Sequence, residues 1–237
     1  MLRMRGNQVT WLGHAAFRIT TPSGKVVIID PFLSGSPTCP PALKKPERVD
    51  TLLITHGHGD HLGDAVALAN QFQPQIVCIA DMGGWLGSKG AKNVIGMNKG
   101  GTVAVGEIEA TMVHAFHSSG IDDGGQMVYG GEAAGYVIQF PGGLTIYHAG
   151  DTQVFGDMKI IADLYKPELA LLPIGDHYTM GPEEAAYAAR LLKVKKVIPM
   201  HYGTFPVLIG RPAQLEEKLS GTGIEVLTLK QGQPITW

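Results

Sequence analysis

The sequence is poor in cysteine and has almost no net charge, and each deficit excludes classes of protein. Its 237 residues contain two cysteines, Cys39 and Cys78, which form neither a CxxC pair nor a disulfide framework. Nineteen basic and 21 acidic residues leave a formal charge of −2, which gives no electrostatic footprint for nucleic acid or an anionic membrane. We therefore expect reduced thiols, and neither nucleic acid nor a membrane as a partner.

Long apolar runs are also missing. The chain has no apolar window of about 18 residues, the length that could span a membrane. The first residues, MLRMRGNQVTWLGHAAFRI, include basic side chains and no uninterrupted apolar core, so we expect no signal peptide and a cytoplasmic protein. Hydrophobic residues make up 44% of the chain and no composition break marks a linker, which predicts one domain over residues 1–237.

Short apolar runs of strand length, separated by glycine and proline turns, dominate the chain. In each half, antiparallel-looking strands come first and alternating strands and helices follow. This order predicts an α/β fold in which two sheets pack face to face with helices outside. Residues 83–101 hold seven glycines and predict mainly turns around one short strand, and residues 118–135 predict a mobile loop.

The segment HGHGDH, residues 56–61, directly follows an apolar run that predicts a strand. It places His56, His58, Asp60 and His61 within six positions. Histidine and carboxylate bind zinc-like ions, and two ions close together need more ligands than one. We expect the intervening glycines, residues 57 and 59, to adopt positive φ so that the side chains converge. The alternative is a polar loop with solvated histidines, which the dense HxHxDH pattern disfavours.

HGHGDH resembles the HxHxDH signature of the metallo-β-lactamase superfamily. The rest of that pattern is matched in order by His117 in AFHSSG, Asp151 in YHAGDT and His201 in VIPMHYG. The similarity covers essentially the whole chain, from WLGHAAF and IIDPF to MHYGTF. GHAAF, GEAAGY, AGDT and PIGDHYTMGPEEAA resemble the small bacterial metal-dependent hydrolases related to L-ascorbate-6-phosphate lactonase.

The resemblance implies a four-layer αββα sandwich with a metal site at the strand ends. It implies two divalent cations per chain, zinc first, with manganese, nickel or iron as alternatives. Ligands of the first ion would be His56, His58 and His117. Ligands of the second would be Asp60, His61 and His201, with Asp151 bridging both ions. A water between the ions would attack the substrate, and Asp60 would be the catalytic proton carrier.

Three further residues are expected around the metals. His14 would contact a ligand or line the substrate pocket, Asp30 would orient a ligand histidine, and His177 would line the pocket. The roles of His114 and His148 stay open. The odd offset between His114 and His117 puts them on opposite faces of a strand, which favours His117 as the ligand.

The predicted function is hydrolysis of a small ester, lactone or phosphoester, with a small molecule as partner and homo-oligomerisation left open. A phosphodiesterase or RNA-processing nuclease of the same superfamily is the first alternative, which the neutral charge and the lack of an added arm disfavour. Di-iron redox chemistry is disfavoured because those relatives have a carboxylate where this chain has His58. A non-catalytic metal-binding module is disfavoured by the complete set of ligands.

Overall fold

Two seven-stranded sheets form the centre of the structure, a computed structural model that describes residues 6–237. Residues 1–5 of the predicted domain, which begin the stretch searched for a signal peptide, lie outside the described residues. The first sheet consists of β1 (Gln8–Gly13), β2 (Ala16–Thr20), β3 (Val26–Ile29), β4 (Thr51–Leu53), β5 (Gln75–Ile79), β6 (Val94–Met97) and β16 (Pro234–Thr236). The second consists of β7 (Thr102–Val105), β8 (Ile108–His114), β11 (Ala134–Gln139), β12 (Thr145–His148), β13 (Leu169–Pro173), β14 (Lys196–Met200) and β15 (Glu225–Val226). A separate hairpin is formed by β9 (Gly120–Asp123) and β10 (Gln126–Tyr129).

Each sheet joins an antiparallel part to a parallel part. Strands β1, β2 and β3 are antiparallel and β3 to β6 are parallel, while β16 pairs antiparallel with β1. In the second sheet β7, β8, β11 and β12 are antiparallel, and β12 to β15 are parallel. The predicted order, antiparallel strands first and alternating strands and helices afterwards, is confirmed in both halves.

In the described part of the chain, six helices flank the sheets: α1 (Gly59–Leu62), α2 (Ala65–Phe72), α3 (Ala80–Ser88), α4 (Met158–Tyr165), α5 (Pro182–Leu192) and α6 (Pro212–Leu219). A short 3₁₀ turn spans Pro41–Leu43. Proline opens α5, where the missing N–H costs nothing, and the Glu184 carboxylate accepts a hydrogen bond from the Gly181 N–H at 3.3 Å. Within the described residues, none of these helices has the length and apolarity needed to cross a membrane.

The second sheet is buried on both faces, which produces the layered sandwich. Along β11, Tyr136 and Ile138 belong to the core between the sheets, whereas Val137 belongs to the core beneath α4, α5 and α6. The same alternation continues in β12, where Ile146 and Tyr147 divide between the two cores. Side chains of a strand point alternately to opposite faces, so an apolar residue at every position requires cover on both sides. The predicted four-layer αββα sandwich is confirmed.

The prediction of turns in residues 83–101 is wrong for its first part, because α3 continues to Ser88. Met82 and Leu86 are four residues apart and fully buried, so they supply the apolar stripe that holds this helix. Gly83 lies against β6, since a Cβ built there would meet the Val94 side chain at 3.2 Å. The glycines of this helix therefore include one needed for close packing.

Residues 118–135, predicted as a mobile loop, contain the β9–β10 hairpin. The Asp123 carboxylate fixes this hairpin to α3, because it accepts hydrogen bonds from Trp85 Nε1 at 3.0 Å and Lys89 Nζ at 2.7 Å. The hairpin is thus a defined element beside the strand ends.

Candidate metal centre

The predicted ligands lie where strands of both sheets end. His56 and His58 follow β4, and the short helix α1 carries Asp60 and His61. The other three follow strands of the second sheet: His117 after β8, Asp151 after β12 and His201 after β14. Because the two sheets pack face to face, these ends meet at one edge of the sandwich.

The first group comprises three histidines, His56, His58 and His117, whose ligand atoms all lie within 4.8 Å of one another. His56 Nε2 lies 3.1 Å from His58 Nδ1. The far nitrogen of His58, Nε2, lies 3.2 Å from the hydroxyl of Ser118. That contact leaves Nδ1 of His58 facing the group, so the three rings direct nitrogen atoms at one point.

The second group comprises Asp60, His61 and His201, and the structure adds His14 to it within the same 4.8 Å. His61 donates from Nδ1 to the buried Asp30 carboxylate at 2.7 Å, since a carboxylate can only accept. Asp30 also accepts from the Thr55 N–H at 2.8 Å and the Thr55 hydroxyl at 2.7 Å. Asp30 therefore fixes the ring of His61 with Nε2 facing the centre, so it orients one of the predicted ligand histidines.

Asp151 lies between the two groups. Its Oδ1 is 3.2 Å from His61 Nε2, and its Oδ2 is 2.9 Å from His201 Nε2. Oδ2 also lies 3.6 Å from His117 Nε2 and 4.0 Å from His56 Nε2. One carboxylate thus reaches histidines of both groups, as a bridging ligand must.

Although they lie close to one another, the buried atoms His61 Nε2, His201 Nε2 and Asp151 Oδ1 make no hydrogen bond of good geometry within the described part of the chain. Buried polar atoms in native proteins are nearly always paired, so atoms that converge unpaired indicate a missing partner. The donor set contains nitrogen and oxygen only, which suits zinc and other divalent transition metals. The residues present therefore fit a metal centre.

The protonation states of the histidines in the first group also fit. Burial lowers the pKa of His56, His58 and His117, so each imidazole is neutral near pH 7, the form that binds metal. Burial also lowers the pKa of His61, but the carboxylates of Asp151 and Asp30 outweigh it and hold that pKa well above its usual value. A cation at Nε2 would take the place of the extra proton.

Both central carboxylates are ionised. Burial raises the pKa of Asp151, but His201 and His61 outweigh burial and hold it well below the usual range. For Asp60, burial is outweighed by the hydrogen bond from His14, and its pKa is lowered too. These two ionised carboxylates supply negative charge that favours divalent cations at the centre.

His14 contacts a ligand, one of the two roles predicted for it. Burial lowers its pKa to about 4, so its ring is neutral. Nε2 therefore donates to Asp60 Oδ2 at 3.0 Å, and Nδ1 accepts from the Thr204 hydroxyl at 2.9 Å. The carbonyl of His14 accepts the N–H of His201 at 3.0 Å, which ties the end of β1 to the end of β14.

The other histidines lie outside the two groups. His148 is buried and structural, since Nε2 donates to the Ala15 carbonyl at 3.0 Å and Nδ1 accepts the Gly150 N–H at 3.1 Å. His114 lies beside Lys99 Nζ at 3.1 Å and packs edge-on against Phe116. His177 is exposed, and its ring packs on Tyr178 at 4.4 Å.

The expectation that Gly57 and Gly59 adopt positive φ is wrong, because neither residue does so. A Cβ on Gly57 would lie 2.6 Å from the Ile121 side chain and 2.8 Å from the Ser119 carbonyl, so this glycine allows the hairpin to approach. Positive φ occurs instead at His14, Asp30 and His201, with values of 51°, 48° and 57°. Each non-glycine residue in this region costs about 1 kcal/mol or more, and such strain concentrates at functional sites.

A cavity of about 390 Å³ opens over the centre. Among the described residues, its lining consists of five predicted ligands together with Ser118 and Tyr178. Tyr178 takes the place that the sequence predicted for His177. Sequence reasoning missed Ser118 and Tyr178, although both lie in segments that the resemblance had singled out.

Comparisons with known proteins agree with this geometry. Residues 25–202 match the family model described as "Beta-lactamase superfamily domain". The chain is 59% identical over 214 residues to a UPF0173 metal-dependent hydrolase of Koribacter versatilis, covering 90% of this chain and 92% of the relative. A UPF0173 metal-dependent hydrolase of Solibacter usitatus is 54% identical, over 97% of this chain and all of the relative. The solved structure of Igni18, a metallo hydrolase of Ignicoccus hospitalis, superposes with a TM-score of 0.87 at 33% identity, covering 98% and 99% of the two chains.

Proposed function

Because the chain belongs to the metallo-β-lactamase superfamily and is a metal-dependent hydrolase, we propose that it hydrolyses a small ester, lactone or phosphoester at a dinuclear metal centre. The observation that carries this proposal is the position of Asp151 between two groups of converging ligand atoms, with its carboxylate near histidines of both. The cavity of about 390 Å³ has the size of a small-molecule site and supports a substrate of that kind.

Each group of ligands would hold one divalent cation. The first would be held by His56, His58 and His117, the second by Asp60, His61 and His201, and Asp151 would contact both. Zinc is the first choice, with manganese, nickel or iron as alternatives, because nitrogen and oxygen ligands accept all of them. When bound, such a pair of cations would lower the pKa of a water so that it ionises near neutral pH, and would also polarise the substrate oxygen.

Asp60 is the proposed proton carrier. Its carboxylate rests ionised and is partly exposed to the cavity, with 28% of the side chain accessible. The hydrogen bond from His14 Nε2 to Oδ2 fixes its orientation, and the Thr204 hydroxyl in turn fixes His14. As an ionised carboxylate open to the cavity, Asp60 would take a proton from the attacking water and pass it to the leaving group.

Turnover tests this function. Metal-free protein should be supplied with zinc, manganese, nickel or iron and screened against lactones, carboxylic esters, thioesters, phosphomonoesters and phosphodiesters. We expect metal-dependent hydrolysis in at least one of these classes. No turnover with any metal, while two ions bind, would instead support a non-catalytic metal-binding module.

His117 and His114 offer a matched pair of variants, because His114 is the last residue of β8 and His117 lies three residues beyond it. His117→Ala should lose metal and turnover together, since it removes a ligand of the first group. His114→Ala should keep both, since its ring lies outside the groups. Equal loss of metal and turnover in the two variants would show that any change near the end of β8 disturbs the protein. The His117→Ala result would then no longer support His117 as a ligand.

A further inference from the structure

We propose that the part of the substrate lying outside the metal centre is uncharged and apolar, and that Tyr178 receives it. This inference rests on the proposed hydrolase function and narrows its substrate class. The inference concerns the substituent of the substrate that lies away from the bond to be hydrolysed, and it does not concern that bond.

The first observation is the lack of a cationic partner in the cavity. Apart from predicted metal ligands, the described residues that line it are Ser118 and Tyr178, and no lysine or arginine is among them. The Ser118 hydroxyl already lies 3.2 Å from His58 Nε2. A phosphate or carboxylate distant from the metals would therefore lose hydration without gaining a charged partner, which is costly.

The second observation is an exposed aromatic surface at the cavity. Tyr178 lines the cavity, yet 58% of its surface is accessible. Phe205 lies outside this lining, but it is 36% accessible and its ring is 5.6 Å from that of His14, which is hydrogen-bonded to Asp60. Large aromatic side chains left open beside a reacting centre offer apolar area that a substrate group can cover.

The third observation is that the backbone fixes the position of Tyr178. Asp176 and His177 both have positive φ, at 66° and 58°, and the Asp176 N–H bonds to the Met180 carbonyl at 3.0 Å. The Met180 N–H bonds to the Thr152 carbonyl at 3.1 Å, next to the bridging Asp151. A side chain presented by a fixed turn loses little freedom when a substrate group packs on it.

The test uses three lactones with the same ring and tether, ending in phenyl, hydroxyl or sulfonate. Metal-loaded protein is assayed as wild type, Tyr178→Phe, Tyr178→Lys and Tyr187→Lys. Tyr187 lies on α5 outside the cavity lining and is 55% accessible, so it matches Tyr178 in type and exposure. Circular dichroism checks that each variant is folded, and calorimetry measures binding of the matching lactams, which replace the ring oxygen by N–H.

Wild type should prefer the phenyl over the sulfonate lactone by about tenfold or more in kcat/KM, the scale of a lost apolar contact. Tyr178→Phe should keep this ratio, and Tyr187→Lys should leave it unchanged. Tyr178→Lys should lower the phenyl-to-sulfonate ratio by about tenfold. The substitution removes the aromatic ring on which the phenyl group packs, and its ammonium attracts the sulfonate.

Equal or better use of the sulfonate lactone by wild type would overturn the inference, as would the same ratio in Tyr178→Lys and Tyr187→Lys. If no lactone or ester is hydrolysed, the proposed function fails for that class, and lactam affinities decide the inference alone. Tighter binding of the phenyl lactam, lost in Tyr178→Lys, supports it. Tighter binding of the sulfonate lactam overturns it.

Discussion

Replacing Asp30 by asparagine should weaken the second metal position without touching any metal ligand. In the structure, Oδ1 of Asp30 accepts the Thr55 N–H, whereas Oδ2 accepts the Thr55 hydroxyl and the Nδ1–H of His61. An asparagine must keep its oxygen toward the backbone N–H, so its NH₂ group faces His61. His61 Nδ1 would then have to accept a hydrogen bond, so the ring would be neutral with its single proton on Nε2, the atom that faces Asp151.

The size of the effect follows from these contacts. A cation at Nε2 would force the ring proton onto Nδ1, opposite the asparagine NH₂ group, and loss of such an orienting partner typically lowers metal affinity by about 10- to 100-fold. The change also removes a charged acceptor from a fully buried position, which should lower the free energy of unfolding by about 1–3 kcal/mol. Zinc competition against a coloured chelator measures the first quantity, and urea unfolding of metal-free protein measures the second.

Asp50 supplies the matched control. Its carboxylate also accepts a backbone N–H, that of Val26 at 2.8 Å, and it pairs with Arg48 and Lys25. It precedes β4, at the opposite end of that strand from His56. Asp50→Asn should therefore lower stability and leave zinc affinity unchanged. Wild-type affinity for both ions in Asp30→Asn, or an equal loss in Asp50→Asn, would refute the reasoning.

Three further predictions concern catalysis, the thiols and the hairpin. Asp60→Asn should lower kcat by about 10²-fold or more while at least one ion stays bound. Asp151→Ala should lose metal and activity together. If Asp60→Asn turns over at the wild-type rate with both ions bound, Asp60 is only a ligand and not the proton carrier. Burial raises the pKa of Cys39 to about 11 and that of Cys78 to about 12, so neither should react with a disulfide reagent at pH 8 until the protein is unfolded; rapid labelling of native protein would contradict this. Asp123→Ala should increase proteolysis at the β9–β10 turn with metal content unchanged, and loss of metal would show that the hairpin supports the centre.

The fold was largely predictable because apolar periodicity is local. Two of the short apolar runs that predict strands are QVTWLG, which forms β1, and QIVCIA, which forms β5 except for its last residue. Helix α3 was missed because its glycines obscured a two-residue stripe, Met82 and Leu86, whose burial depends on β5 and β6. The β9–β10 hairpin was missed because its anchor, Asp123, pairs with residues more than 30 positions away.

The residues of the centre that belong to a recognisable sequence motif were predictable. The seven predicted ligands follow from HxHxDH and three later motifs, and the structure brings all seven side chains together. Ser118 and Tyr178 belong to no such signature, and they reach the cavity only through tertiary structure. Two consecutive left-handed residues, Asp176 and His177, turn the chain so that Tyr178 lines the cavity while His177 is exposed, and no sequence pattern signals that conformation.

The central claim is that these seven side chains hold two cations that together support hydrolysis. The most direct measurement is a zinc titration of metal-free protein in which hydrolysis of the best substrate and bound zinc are recorded on the same samples. We predict that activity rises with added zinc and reaches its plateau at two bound ions per chain. Full activity in metal-free protein, or a plateau at one bound ion, would contradict the account.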